Sequence, residues 1–475
     1  MGAPTSRHAS QRLSTGIHGL DVILHGGFLA GDLYLVRGAS GTGKTVFGHQ
    51  FCFSRAALGS QALYVTLLSE AHGRLVTHLQ SFAFFRPEWI AQRVHYLSAY
   101  SALKEGGLPG LLKLIGTEIH RIGVDTLVID GLGTASSAAA DPLVIREFLH
   151  GIEAHATLAG CTTLITEIAG EAVTGAHEGQ MDGIVVLSSE SFGLRTLRTL
   201  EVTKIRGSGQ MTGKHYFDIT RRGLEVYPRS EALITELPLV QPDPSDRCAF
   251  GISGLDAMLD GGVARYSSTL LQGTTGCGKT LLGLHFLAEG ARRGEQGLYV
   301  GFSETPEHLV RKAQGVSLNL DEPVKHGTLR FDVHVRGERL RDALLQNVIA
   351  LCKERRVRRL YIDNLEPFTH EALDPTRAGP LMTALLDQVR SVECTVVVAY
   401  QLPTSVAPEQ CCPRASNEAR FDNLVSVQVV ERDAQLRRRV TILKARDSES
   451  DPCVRELRIS SDGVSIAKGT GEGAP

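Results

Sequence analysis

No stretch of about 18 apolar residues occurs in the chain, so the sequence offers no transmembrane helix. Its first residues, MGAPTSRHASQRLSTG, lack the apolar core of a secretory signal, and the expected address is the cytoplasm. Neither charge sign is in excess: 50 Lys and Arg against 52 Asp and Glu leave a net −2, mixed along the chain instead of gathered into tails. That balance argues against a protein built mainly to coat nucleic acid or an acidic membrane, and leaves open only a local basic channel. The nine cysteines form no CxxC pair and no His/Cys metal spacing; apart from Cys411 and Cys412 they stand singly. They read as reduced, mostly core residues.

What the chain has is glycine, 50 residues in 475, and internal repetition. The segment TGIHGLDVILHGG (15 to 27) returns as FGISGLDAMLDGG (250 to 262), and GASGTGKT (38 to 45) returns as GTTGCGKT (273 to 280). Asp21 and Asp256 are 235 residues apart, as are Lys44 and Lys279. After each glycine loop come helical spacing (Phe47 and Phe51; Leu282 and Phe286), a glycine stop (Gly59; Gly294) and a short β-favouring run, ALYV (62 to 65) or GLYV (297 to 300). DTLVID (125 to 130) matches RRLYID (358 to 363), and EVTKIRGS (201 to 208) matches VTILKARDS (440 to 448). The prediction is α/β: two tandem domains, each a mostly parallel doubly wound sheet, at 11–232 and 248–468 with a linker over 233–247 stiffened by Pro242 and Pro244.

Both loops fit GxxxxGK[ST] and both lie between a predicted strand (DLYLVRG; STLLQG) and a predicted helix, the context a phosphate-binding P-loop requires. Glycine lets the backbone curl so that its amides face an anion, and the helix start adds the positive end of its dipole. Ser40, Gly41, Thr42 and Gly43, and Thr275, Gly276, Cys277 and Gly278, are the predicted cradles for ATP or ADP. Lys44 and Lys279 would reach the β and γ phosphates, the hydroxyls of Thr45 and Thr280 would bind Mg²⁺, and Asp130 and Asp363 would hold it from the Walker B strands. Cys277 reads as a tolerated small residue.

Hydrolysis needs a group that activates water. TLLSEAHGRLV and GFSETPEHLV follow corresponding strands and align Glu70 with Glu304, each a candidate base at the carboxyl edge of its sheet or simply an acid at a helix start. Charge on the moving phosphoryl group is commonly met by an external cation. Lys204 and Arg206, like Lys444 and Arg446, lie two apart on a predicted strand of an edge hairpin, placed to reach a neighbour's nucleotide. Thr166 or Glu167 in the first half and Gln401 in the second stand at strand ends where a sensor of the γ phosphate would sit.

Together these residues resemble the KaiC family, the tandem branch of the RecA-like P-loop ATPases, over about residues 11 to 468. The specific marks are TGIHGLDVILHGG, FGISGLDAMLDGG, SETPEHLVRKA and KIRGS. The resemblance implies a homohexameric double ring with ATP between subunits, slow hydrolysis, completion of each site by the neighbour's lysine and arginine, and protein signalling partners of the KaiB type. It leaves serine/threonine autokinase activity open. Two departures stand out. The family's adjacent glutamates are here Ser69–Glu70 and Ser303–Glu304, and the adjacent phosphorylatable Ser and Thr of clock proteins align with Glu418 and Ala419, with Ser416 nearby. The tail after SIAK is also short, so a circadian oscillator as such is not expected. Two rival readings are a DNA-dependent recombinase, for which KERRVRR (353 to 359) and RRR (437 to 439) would be the basic runs, and a scaffold in which one ring binds ATP and the other turns it over.

Overall fold

The computed structural model describes residues 11–67, 72–133, 142–169, 178–192, 195–236, 240–334, 341–365, 368, 375–402, 418–432, 435–446 and 448–467. The chain divides into two units, residues 1–229 and 230–475.

Each unit is built on a nine-stranded sheet with one strand order. In the first it runs Val94–Ser98, Ala62–Thr66, Thr126–Asp130, Thr162–Ile168, Leu33–Gly38, Gly183–Phe192, Arg195–Ile205, Lys214–Thr220, Gly223–Tyr227. In the second it runs Leu329–Val333, Gly297–Gly301, Arg359–Asp363, Thr395–Gln401, Ser268–Gly273, Asn423–Arg432, Gln435–Ala445, Arg455–Ser460, Gly463–Ile466. The first six strands of each series are parallel and the last three antiparallel. These are two tandem RecA-like α/β domains, as the repeat predicts.

The parallel strands are apolar on both faces because helices cover both faces. Side-chain alternation sends Leu33, Leu35, Leu63, Val65, Leu127 and Ile129 into one buried cluster. Tyr34, Val36, Tyr64 and Val128 go to the other, against Phe47 and Phe51 of the helix Lys44–Ala57. The second unit sorts Leu298, Val300, Leu360 and Ile362 from Tyr299 and Tyr361 in the same way. This period of two puts Asp130 and Asp363 on the P-loop helix face of their sheets.

The repeated segments 15–27 and 250–262 are structural. Asp21 accepts hydrogen bonds from Ser14 Oγ, Thr15 N and Thr15 Oγ1 at 2.6 to 2.8 Å. Asp256 accepts from the amides of Phe250, Gly251 and Ile252 at 2.6 to 3.1 Å. The segment read as a linker, 233–247, overlaps a 3-10 helix, Ser230–Glu236, at its start and a strand, Asp243–Cys248, at its end, the latter paired antiparallel with Val263–Arg265. The strand Arg195–Ile205, expected at an edge, lies inside its sheet, because the chain adds two further strands outside it; the same holds for Gln435–Ala445. Among the described residues no helix is long and apolar enough to cross a membrane.

Candidate functional site

Each P-loop leaves its strand at a glycine that nothing else could replace. A Cβ on Gly38 would lie 2.5 Å from the Leu187 carbonyl oxygen, and one on Gly273 would lie 2.1 Å from that of Val427. Gly41 and Gly43 take φ of 79° and 106°, Gly276 and Gly278 of 74° and 110°, so the loop turns through left-handed positions and delivers Gly43 and Gly278 as helix N-caps. Thr42 Oγ1 donates to the Ala39 carbonyl, while Cys277 stands at the matching place with a fully buried thiol. The Lys44 ammonium donates to the Gly38 and Ala39 carbonyls (2.8 and 2.9 Å), and Lys279 to those of Gly273 and Thr274 (both 2.8 Å).

The predicted metal pairs are brought together. Thr45 Oγ1 donates to Asp130 Oδ2 over 3.1 Å, and Thr280 Oγ1 to Asp363 Oδ2 over 3.0 Å. Two residues that the sequence reading passed over share those carboxylate oxygens. Tyr64 OH donates to Asp130 Oδ2 over 2.5 Å and Tyr299 OH to Asp363 Oδ2 over 2.6 Å. Burial, and after it the neighbouring Asp charge, push both phenols far above the usual range, so they remain donors. Tyr64 also stacks on His49 with ring centres 3.9 Å apart. His49 shares a 2.7 Å hydrogen bond with the Thr45 carbonyl oxygen, and burial lowers its pKa to about 4, which keeps the imidazole neutral.

Of the two sensor candidates in the first unit, Thr166 is at the site: its hydroxyl donates to Asp130 Oδ1 and accepts from Gly131 N. Glu167 instead pairs with Arg37 over 2.8 Å. The register against the P-loop strand sets Ile168 opposite Gly38 and Gln401 opposite Gly273, so Thr166 corresponds to Ala399. Gln401 Nε2 donates to Thr275 Oγ1 over 2.8 Å. The two units therefore differ in the polar group at this end of the strand.

Glu304 sits just before the helix Pro306–Gln314, with Lys312 Nζ 2.5 Å from Oε1 and His308 Nδ1 3.3 Å from Oε2. Glu70 and Ser416 lie outside the described residues, and so do Cys411 and Cys412. The late cations repeat in detail. A bulge precedes each lysine, between Ile184 and Val185 in one sheet and Leu424 and Val425 in the other. Lys204 Nζ donates to the Glu178 carbonyl (2.7 Å) and Lys444 Nζ to the Phe421 and Ala419 carbonyls (2.5 and 3.2 Å). Arg206 pairs with Asp182 and Arg446 with Asp422, both at 3.2 Å, with the arginine side chains 53% and 54% exposed. Those two aspartates, also unread in the sequence, accept from the first residue of the P-loop strand, Leu33 N or Ser268 N. Each cation pair is thus tied to its own sheet, with a half-exposed guanidinium; that of Arg206 also donates to the Gly179 carbonyl.

The basic run 353 to 359 does not face solvent as a unit. Arg359 is fully buried, 2.5 Å from Glu295 and 4.8 Å over the Phe286 ring, and Arg358 pairs with Glu393.

Two glycine loops, each with its lysine, its hydroxyl and a facing carboxylate on a mostly parallel sheet, define a tandem RecA-like P-loop nucleotide-binding protein. The chain belongs to the KaiC family of ATPases, whose model matches residues 13–231 and again residues 248–471. It is 27% identical to the circadian clock oscillator protein KaiC of Picosynechococcus over 98% of this chain and 92% of that protein. It is 26% identical to KaiC 1 of Synechocystis (97% and 90%) and 24% identical to KaiC of Synechococcus elongatus (97% and 90%).

Proposed function

We propose that the chain is a Mg²⁺-dependent ATPase that binds one ATP in each half, assembles as a homohexamer and works as a signalling switch of the KaiC type. The observation that carries this is the paired geometry of Lys44, Thr45 and Asp130 and of Lys279, Thr280 and Asp363, duplicated to within 0.1 Å at the hydroxyl–carboxylate bond. A hydroxyl beside a carboxylate, both hard oxygen donors, fits Mg²⁺, and Thr45, Asp130, Thr280 and Asp363 are the residues that would hold it. When bound, Mg²⁺ offsets charge on the β and γ phosphates.

The chain's own groups have the following roles. The loop amides and lysines hold the phosphates. Glu304, and Glu70 by correspondence, orient and deprotonate water. Lys204, Arg206, Lys444 and Arg446 lean across to the neighbouring subunit's nucleotide, a role supported by the half-exposed guanidinium groups of Arg206 and Arg446 and by the recurrence of all four behind the same bulge. Lys444 Nζ donates to the carbonyl of Ala419, one of the two residues aligned with the phosphorylatable pair of the clock proteins, which supports a link between that segment and this cation.

The test is incubation of purified chain with MgATP, reading nucleotide stoichiometry by calorimetry, assembly by ultracentrifugation, phosphate release, and intact mass for autophosphorylation. Two nucleotides per chain, a hexamer and slow phosphate release are expected. A monomer that releases no phosphate at any ATP concentration refutes the proposal.

A second reading is favoured by one contrast: Asp130 receives the Thr166 hydroxyl where the second unit has Ala399. In it, one ring binds ATP for assembly and the other turns it over. Glu70→Gln and Glu304→Gln, made separately, decide; equal losses contradict a division of labour.

A further inference from the structure

The P-loop and Walker B motifs account for the lysines, threonines and aspartates of the two sites, and leave Tyr64 and Tyr299 unexplained. The two tyrosines are 235 residues apart, the same spacing as Lys44 and Lys279. Each lies on the strand beside the Walker B strand, Ala62–Thr66 or Gly297–Gly301, in the register that pairs Tyr64 with Val128 and Tyr299 with Tyr361. Two residues further along is the carboxylate.

A free aspartate rotates broadly about its last bond. Here the rotation is opposed from both oxygens. Oδ2 accepts both the P-loop hydroxyl and the phenol in each unit. Oδ1 accepts from Thr166 in the first unit and, at 3.5 Å, from Tyr361 in the second. The Oδ1 donor changes chemistry between the halves while the phenol on Oδ2 does not. A buried tyrosine needs some acceptor for its hydroxyl, and that alone would account for one such contact. It does not account for the choice, in both halves, of the same oxygen that the P-loop threonine uses.

We infer that Tyr64 and Tyr299 are positioning residues for the divalent cation: each phenol fixes the plane of the Walker B carboxylate so that Oδ2 is held beside the P-loop threonine hydroxyl. The inference rests on the Mg²⁺–ATP reading above and deepens it. Groups behind the direct ligands of a metal commonly govern its affinity by factors of about 10 to 100. Phenylalanine keeps the ring, including its stack on His49, and removes only the donor.

The experiment titrates Mg²⁺ into the full-length chain at fixed methylanthraniloyl-labelled ATP, following fluorescence, for the wild type, Tyr64→Phe, Tyr299→Phe and the double variant. Binding of the labelled ATP in EDTA and thermal melting in EDTA are measured alongside. The expected result is a rise of about ten-fold in half-saturating Mg²⁺ for each altered site, with metal-free nucleotide binding and melting unchanged. If Mg²⁺ strengthens binding in the wild type and the double variant needs no more of it, this inference is overturned and the ATPase proposal stands. A parallel fall in metal-free binding and melting, with unchanged Mg²⁺ demand, assigns the phenols to the core and also overturns it. If Mg²⁺ has no effect on the wild type, both fall. Should one variant not fold, the other half carries the same geometry and decides.

Discussion

Lys312 Nζ stands 2.5 Å from Glu304 Oε1, so the carboxylate assigned to water activation is held by a cation on the helix it precedes. His308 approaches its other oxygen at 3.3 Å. If Glu304 is the base of the proposed hydrolysis, a carboxylate engaged in this way is less available to water, and turnover at the second site should be slowed.

Lys312→Met should therefore raise phosphate release from the second site by about two- to five-fold, the value of a partly exposed ion pair of about 0.5 to 1 kcal/mol. Glu304→Gln should lower it at least 100-fold, about the smallest contribution expected of a positioned base. Both are read in a Lys44→Ala background that silences the first site. An unchanged rate in Lys312→Met would show that the pairing does not restrain Glu304.

If Arg206 acts on the neighbour's nucleotide, Arg206→Ala and Lys44→Ala should each be inactive at the first site and should partly restore one another when mixed before assembly. Some interfaces then join an intact loop to an intact arginine. The readout is phosphate release against mixing ratio, in a Glu304→Gln background. A flat profile would place Arg206 on its own subunit's site.

The loops, both Walker aspartates and all four late cations were legible because each is a short contiguous pattern, and the repeat supplied a second copy to check it against. Asp182, Asp422, Tyr64 and Tyr299 were not read. Their contacts cross between strands far apart in sequence, and single-chain periodicity reports a face without reporting the partner on it. A signal was present: tyrosine recurs in ALYV and GLYV, and aspartate precedes GIVVL and NLVSV. Of the two alternatives read for the sensor, Thr166 faces Asp130 and Glu167, next along the strand and so on its opposite face, pairs with Arg37. The cation hairpin was misplaced to an edge because the two strands that follow carry weak patterns, with alternation interrupted by charge.

Arg359 predicts a large stability effect. Its guanidinium is fully buried and bonds Glu295, the Ala249 carbonyl and the Phe286 carbonyl at 2.5 to 3.0 Å. Arg359→Leu should destabilise the second unit by about 3 to 5 kcal/mol, since it strands a carboxylate and two carbonyls. Urea unfolding measures this, and Arg359→Leu combined with Glu295→Leu should recover part of the loss. A single variant within about 1 kcal/mol of the wild type would contradict the assignment.

Asp32 supplies a pH dependence in the first unit. Burial, and then the nearby Asp182 charge, raise its pKa from 3.8 to about 6. The folded state thus holds a proton that the unfolded chain has released, and stability falls as pH rises between those values and levels off above about 6. Asp32→Asn should remove this component. The difference in urea midpoint between variant and wild type should grow in favour of the variant from pH 4 to pH 6 and then stay constant. A difference independent of pH would sink the prediction.

The buried sulfur of Cys277 distinguishes the two halves in a further way. The first loop has an inert alcohol at that point, whereas the second carries the softest nucleophile among the side chains, sealed inside the turn that must accept ATP. Its burial means that alkylating or oxidising agents could reach it only if the turn opened, and the matching point of the first loop, Thr42, offers them no thiol.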